Sequence, residues 1–226
     1  MNNQLNMTYV EEQIKGLHKL PKNKVTEPKH KKWGGRKRDG VTSKIFKNLL
    51  AECKLHSFIG KRNRLVFYLL WLTGCRINEL MGFKKNNWQD LIETGRTELY
   101  EPKIKQSKTI IITEAKKNLF KTWKWAEEFF FEYPTSPLLR TEKGRPLHNI
   151  YAISYYNKLL KEKGLQEGLL LRTHSFRVGL ITDLIQTVDC NVAKDVIGHK
   201  NILTTLKYNR GTTSTKKKKD ALNGVR

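Results

Sequence analysis

The chain has little cysteine, little acid and no long apolar run, and each shortage removes a class of protein. Its three cysteines, Cys53, Cys75 and Cys190, stand far apart with no Cys-x-x-Cys pair, so neither a disulfide framework nor a zinc site can be built from them. A reducing compartment fits this usage: the cytoplasm, with the protein associated with the nucleoid, or an organelle. No apolar stretch approaches the roughly 18 residues of a membrane span. The start, Met1-Asn2-Asn3-Gln4, lacks the apolar core of a secretory signal, and no membrane partner is expected. No internal repeat is visible.

Acid is scarce relative to base: 21 Asp and Glu face 44 Lys and Arg, a net charge of +23. Such an excess calls for a polyanionic partner. It concentrates at the two ends, in the run from Lys29 through Lys31, Lys32, Arg36, Lys37 and Arg38, with Trp33 and glycines interleaved, and in Lys216-Lys217-Lys218-Lys219. Either run alone fits a solvated tail; the two together favour phosphate contact. The 226 residues, 38% of them hydrophobic, suit one domain with its own core plus arms.

Residues 1–41 read as a basic, mobile arm, because Gly34-Gly35 and Gly40 break any helical period. Thr42 or Ser43 can cap a helix with Ile45, Phe46, Leu49 and Leu50 at helical spacing, and a strongly apolar helix follows from Arg62 to Leu72, broken by Gly74. A short helix carrying Ile77, Leu80 and Met81 comes next, with Trp88 and Leu91 packing against it. Leu99-Tyr100 and Ile110-Ile111-Ile112 predict a small antiparallel hairpin turning around Lys105 to Lys108. Helices are then expected from Glu114 to Phe131, from Asn149 to Lys163 with Gly164 as the stop, from a Thr173 cap to Val188, from Asn191 to Ile197 ended by Gly198, and after an Asn201 cap.

Some chemically suggestive residues carry plain readings. His18, His30 and His56 have no metal-ligand partner at helical spacing, and His148 contributes to a helix start. Tyr151, Tyr155 and Tyr156 crowd one helix and suit packing. Ser175 has no triad around it.

Three motifs remain. Cleaving a phosphodiester without a metal needs cationic donors at the non-bridging oxygens, a nucleophile, a base, and an acid for the leaving oxygen. Arginine suits the clamp, because its planar fork bonds two phosphate oxygens and stays charged. In His174-Ser175-Phe176-Arg177 the three-residue spacing puts histidine and arginine on one helix face. Close behind a Thr173 cap, both would lie beside free backbone N–H groups and the positive end of the helix dipole. That dipole disfavours imidazolium and leaves His174 able to act as base. Taken alone, the motif also fits an ordinary helix start at the surface. Arg76, in Gly74-Cys75-Arg76-Ile77-Asn78-Glu79-Leu80, has Glu79 at i+3 to orient it, or to form an exposed ion pair of little weight. In the third segment, Gly198-His199 is followed by Tyr208, nine residues after the histidine.

Gly-x-Arg-x-x-Glu-Leu, then His-x-x-Arg, then Gly-His with its tyrosine, in this order and separation, resembles the tyrosine recombinase/phage integrase family over about residues 42–211. The resemblance implies a mostly helical α+β catalytic domain with a small antiparallel β-hairpin over residues 42–211, followed by a basic tail over 212–226. It implies that Arg76 and Arg177 clamp the phosphate, that His174 transfers a proton, and that His199 donates to a non-bridging oxygen. Tyr208 would form a 3′-phosphotyrosyl bond. Gln106-Ser107-Lys108-Thr109 looks like the hairpin whose lysine protonates the 5′ leaving oxygen, which makes Lys108 the first choice and Lys105 the second.

Site-specific recombination of double-stranded DNA, without metal or nucleotide cofactor, is the activity implied. Its partners would be further copies, as a homo-tetramer on DNA, and an accessory DNA-bending protein. Relatives usually carry a helical core-binding domain ahead of the catalytic one; here only the basic arm precedes the resembling region, which is expected to weaken independent site recognition and synapsis more than cleavage. A relaxing or resolving enzyme similar to type IB topoisomerases would share the chemistry, and a non-catalytic DNA-binding relic of a mobile element would share the charge.

Overall fold

The computed structural model describes residues 39–101 and 106–208. The basic residues Lys29, Lys31, Lys32, Arg36, Lys37, Arg38 and Lys105 lie outside them, as do residues 209–226. In chain order the elements are α1 (Ser43–Ala51), α2 (Phe58–Thr73), a 3₁₀ turn (Glu79–Gly82), α3 (Lys85–Thr94), β1 (Arg96–Glu101), β2 (Gln106–Ile111), α4 (Glu114–Lys121), α5 (Lys124–Glu132), α6 (Asn149–Gln166), α7 (His174–Thr187), α8 (Cys190–Ile197) and α9 (Ile202–Leu206). It is a mostly helical α+β fold with one two-stranded antiparallel sheet among the described residues. No helix of the described residues is long and apolar enough to cross a membrane.

α2 is the central helix, packed by α1, α5 and α7. Leu65, Val66, Phe67, Leu69 and Leu70 are all buried along it, and full burial of each contributes roughly 1.5–3 kcal/mol. That is why this segment is apolar almost all round rather than striped. α1 shows the stripe instead: Ile45, Phe46, Leu49 and Leu50 are buried, and the Thr42 hydroxyl caps it by accepting the Ile45 N–H. Asn63, on α2, is buried between two tyrosines of α6. Its amide donates to the Tyr155 hydroxyl at 2.8 Å and its carbonyl accepts from Tyr156 at 3.0 Å, which gives both tyrosines packing roles.

The hairpin register pairs Thr97 with Ile110 and Leu99 with Lys108. Leu99 and Ile110 are buried while Tyr100 and Ile111 are exposed, the alternation expected of a sheet with one face on the core. Lys108 therefore sits within β2 and not in the turn, on the same face as Ile110.

Other expectations needed correction. The helix expected over Glu114–Phe131 is two helices, α4 and α5, interrupted at Thr122 and Trp123. The interruption lets Trp123 join Tyr68, Trp88 and Phe120 in an aromatic cluster. The segment around Ile77 to Met81 holds only the 3₁₀ turn. Gly164 does not stop α6, which continues to Gln166. A Cβ on Gly164 would lie 2.6 Å from the Leu169 carbonyl oxygen, so glycine is there for the close return of the chain.

Candidate active site

α2 ends at Gly74, whose φ of 58° is left-handed; glycine takes this conformation without steric cost. The chain then turns outward, with the Cys75 N–H donating to the Thr73 hydroxyl at 3.1 Å. Arg76 follows with its side chain 47% exposed. Glu79, the first residue of the 3₁₀ turn, is buried beneath it. One carboxylate oxygen of Glu79 accepts from an Arg76 terminal nitrogen at 2.6 Å. The other accepts the Arg76 backbone N–H at 3.1 Å and Lys108 Nζ at 3.2 Å.

This carboxylate is no solvated surface partner, since it is 1% exposed and carries two cations. Burial pushes its pKa upward, but the charge of Lys108 and the hydrogen bonds and charge of Arg76 outweigh that and hold it below the ordinary range. Lys108 reaches it because the pleat that buries Ile110 turns Lys108 to the same face. Lys108 Nζ also lies 3.6 Å from Cys75 Sγ. Burial pushes the Cys75 thiol up to about 11, so it stands there neutral.

Thr173 does not cap α7 as expected. Its backbone is already helical, and no side-chain cap is made. The Thr173 hydroxyl and N–H both donate to Asn157 Oδ1 on α6, while the Ser175 hydroxyl accepts the Arg172 N–H at 3.0 Å. These bonds fix the start of the helix that carries His174 and Arg177.

Arg177 is almost wholly buried, 1% exposed, in contrast to a surface helix start. Its two terminal nitrogens donate to the carbonyls of Gly74, at 3.0 Å, and Ile197, at 3.1 Å. Those carbonyls belong to the C-terminal ends of α2 and α8, where unpaired acceptors and the negative dipole end compensate a buried cation. Burial lowers its pKa, yet a guanidinium starts from so high a value that it stays charged. Its Nε–H has no hydrogen-bond partner among the described residues, so the fork keeps donor capacity beyond its structural bonds.

α8 is capped by Asp189, which accepts the Asn191 N–H, and ends at Gly198 with φ of 74°. The turn brings His199 inward, 8% exposed, with its N–H on the Lys194 carbonyl at 2.9 Å. Nδ1 of His199 lies 2.9 Å from the Thr205 hydroxyl. Burial first, then the charges of Arg177, Arg76, Lys108 and His174, depress its pKa to about 4. His199 is therefore neutral at physiological pH. The same influences show that these residues share one site.

Asn201 caps α9 by accepting the Leu203 N–H, and Tyr208 follows this short helix. The Tyr208 hydroxyl lies 2.7 Å from His174 Nε2, and its ring stacks on His199 with centroids 6.0 Å apart and planes 25° apart. Six residues from four separate stretches, Arg76, Lys108, His174, Arg177, His199 and Tyr208, thus meet. Three cations, a neutral imidazole and a hydroxyl bonded to a second histidine lie together, a set of groups whose chemistry suits an anionic phosphate ester. Among the described residues no group of three or more His, Cys, Asp or Glu could hold a metal ion.

Two residues of this site were not legible beforehand in the parts they play. Glu79 was placed beside Arg76 by its spacing, but its bond to Lys108 spans 29 residues. Thr205 carried only a weak signal, its position three residues before Tyr208.

Residues 41–214 match the phage integrase family. With this fold and this grouping of residues, the chain belongs to that family. Among curated proteins it is 23% identical to the "Probable integrase/recombinase protein MJ0367" of Methanocaldococcus jannaschii, over 65% of this chain and 45% of that one. It is 26% identical to tyrosine recombinase XerA of Pyrococcus horikoshii, over 67% of this chain and 51% of that one. The chain thus spans about half the length of these relatives. Among solved structures, the XerH site-specific recombinase bound to a palindromic difH substrate superposes with a TM-score of 0.61 at 20% identity, covering 85% of this chain and 54% of that one. That likeness shows the shared catalytic-domain fold.

Proposed function

We propose that this protein is a site-specific recombinase that cuts and rejoins double-stranded DNA through a covalent 3′-phosphotyrosyl intermediate on Tyr208. The observation that carries the reading is the 2.7 Å contact of the Tyr208 hydroxyl with His174 Nε2, beside a cluster of cations contributed by Arg76, Lys108 and Arg177. His174, with Nε2 unprotonated, accepts the Tyr208 proton as the phenolic oxygen attacks phosphorus. Arg76 and Arg177 neutralise the charge that grows on the non-bridging oxygens, with His199 as a further donor. Lys108 protonates the departing 5′ oxygen. The phosphotyrosyl bond conserves the energy of the broken ester, and a 5′-hydroxyl from a partner strand attacks it to reseal.

Solved structures of the same fold include the Tn1549 transposon integrase in complex with circular intermediate DNA and XerH bound to difH substrate, and the +23 charge of this chain suits a ligand of that kind. In this reading residues 1–41 and 212–226 are basic arms around a catalytic domain over 42–211, and Lys29, Lys31, Lys32, Arg36, Lys37, Arg38 and Lys105 contact backbone phosphates. Exchange of both strands between two duplexes breaks four phosphodiesters. Each chain offers one Tyr208, so a complete exchange recruits four copies.

A nicked suicide substrate, from which the 5′ fragment diffuses away, tests the reading. A covalent protein–DNA adduct is expected, and it should form equally in excess EDTA because the side-chain cations perform the neutralisation. Cleavage lost to the chelator and restored by Mg²⁺, with no adduct, would place the protein in another nuclease class.

Lys108→Ala should cripple cleavage of ordinary DNA, because an alkoxide leaves poorly without a proton. A substrate with sulfur as the bridging 5′ atom should restore it, since a thiolate needs none. Arg76→Ala should not be rescued in this way, because its lost contact is to non-bridging oxygens. Rescue confined to Lys105→Ala would move the acid to that residue, and rescue of neither lysine would assign the proton elsewhere.

A further inference from the structure

The His199 ring poses a question that its neutrality makes sharp. A neutral imidazole carries one N–H, and the tautomer decides which nitrogen can donate. An imidazolium could donate from either side; this ring, held neutral by burial and by the surrounding cations, can serve a phosphate oxygen only if its proton sits on the nitrogen that faces the substrate. Something must choose.

We propose that Thr205 is a positioning residue for strand cleavage, its buried hydroxyl donating to His199 Nδ1 and so fixing the tautomer with the proton on Nε2. The hydroxyl lies 2.9 Å from Nδ1, and Thr205 is fully buried at 0% exposure. Among the described residues His199 is its only side-chain hydrogen-bond partner. A hydroxyl has one proton to give. If Nδ1–H donated to Thr205 instead, that proton would be buried without an acceptor, an arrangement proteins avoid. The reverse direction satisfies both groups and leaves Nε2–H for a non-bridging oxygen. Partners that orient histidines in this way govern what the other ring nitrogen can do.

The placement of Thr205 adds a consequence. The Tyr208 N–H donates to the Thr205 carbonyl at 2.9 Å, so the residue that orients His199 lies one helical turn before the nucleophile. Delivering Tyr208 to the site also delivers the hydroxyl that readies His199. Attack and charge stabilisation are thereby tied to one short segment of chain.

The inference rests on the strand-cleavage reading, and its test separates the two. In the full chain, Thr205→Val removes the hydroxyl at nearly constant volume, and Thr205→Ser keeps it. Long-range ¹H–¹⁵N spectra of histidine-labelled protein, with His199 assigned by its loss in His199→Phe, report the tautomer without any substrate. The wild type and Thr205→Ser should show the proton on Nε2, and Thr205→Val a mixture or the Nδ1–H form. Single-turnover cleavage of a suicide substrate should fall about 10–100-fold in Thr205→Val, the range seen when the outer partner of a metal-bound histidine is removed. Thr205→Ser should recover most of that loss. In a His199→Phe background, Thr205→Val should cost nothing further.

An Nε2–H signal unchanged in Thr205→Val overturns the proposal, as does an Nδ1–H tautomer in the wild type. Equal impairment of the Val and Ser variants with the tautomer unmoved would mark Thr205 as ordinary packing. A wild type that forms no adduct, yet shows the expected tautomers, would instead sink the cleavage reading and leave the Thr205–His199 pairing standing.

Discussion

Tyr208→Phe is expected to abolish the covalent protein–DNA adduct outright while leaving DNA affinity almost unchanged. The substitution removes one hydroxyl and no charge, and affinity for a polyanion is carried by charge. The ring stays, so its stacking on His199 at 6.0 Å is kept and the fold should not suffer. What disappears is the oxygen proposed to attack phosphorus and the 2.7 Å bond by which His174 would accept its proton. Peptide mapping of the wild-type adduct should place the linkage on Tyr208. An adduct that persists in the variant would overturn the assignment. The obvious substitutes are poorly placed: Tyr156 is fully buried with its hydroxyl on Asn63, and Tyr155 accepts from the same Asn63 amide. Burial also pushes the Tyr156 phenol far above its ordinary range, which makes it a still weaker nucleophile.

How much of this was readable in sequence depends on the range of the forces involved. Arg76, His174, Arg177, His199 and Tyr208 could be named because each lies in a short segment with local signals, a glycine turn or a helix start, and the segments follow one another in the order of the family they resemble. Two of the left-handed glycines, Gly74 and Gly198, marked helix ends for a purely local reason. The hairpin was legible from its β-branched run, but the face of Lys108 was not, because that depends on register, and a shift of one residue inverts every side chain. Thr173 misled for a related reason. A threonine before a helix is a sound cap by propensity, yet Asn157 on a distant helix claims its hydroxyl. Gly164 likewise looked like punctuation, when a tertiary contact with Leu169 explains it. Glu79 shows the limit most clearly. Its bond to Arg76 is local and was foreseeable, whereas its bond to Lys108 and its burial belong to the assembled fold.

The two arginines should separate when each is replaced by alanine, because they are held so differently. Arg76 is half exposed and hangs from Glu79. Its loss should leave the fold intact and Glu79 still paired with Lys108, while single-turnover cleavage falls on the order of 10²–10³-fold, the usual effect of removing one preorganised donor from a developing oxyanion. Arg76→Lys should be an incomplete substitute, since an ammonium lacks the two-pronged fork. Arg177 serves the architecture as well. It bridges the ends of α2 and α8, and truncating it leaves two buried carbonyls without donors, each costing about 1–3 kcal/mol, beside a cavity. Arg177→Ala should therefore lower the melting temperature clearly as well as slowing cleavage, and the rate should be compared at a temperature where the variant is still folded. Binding should weaken far less than cleavage in both cases, since one charge among 44 basic residues changes the overall attraction little. Equal losses in binding and cleavage for Arg76→Ala would reduce it to an ordinary backbone contact. A melting temperature unchanged in Arg177→Ala would mean that its bonds to Gly74 and Ile197 are incidental, and that its burial has to be explained by the phosphate alone.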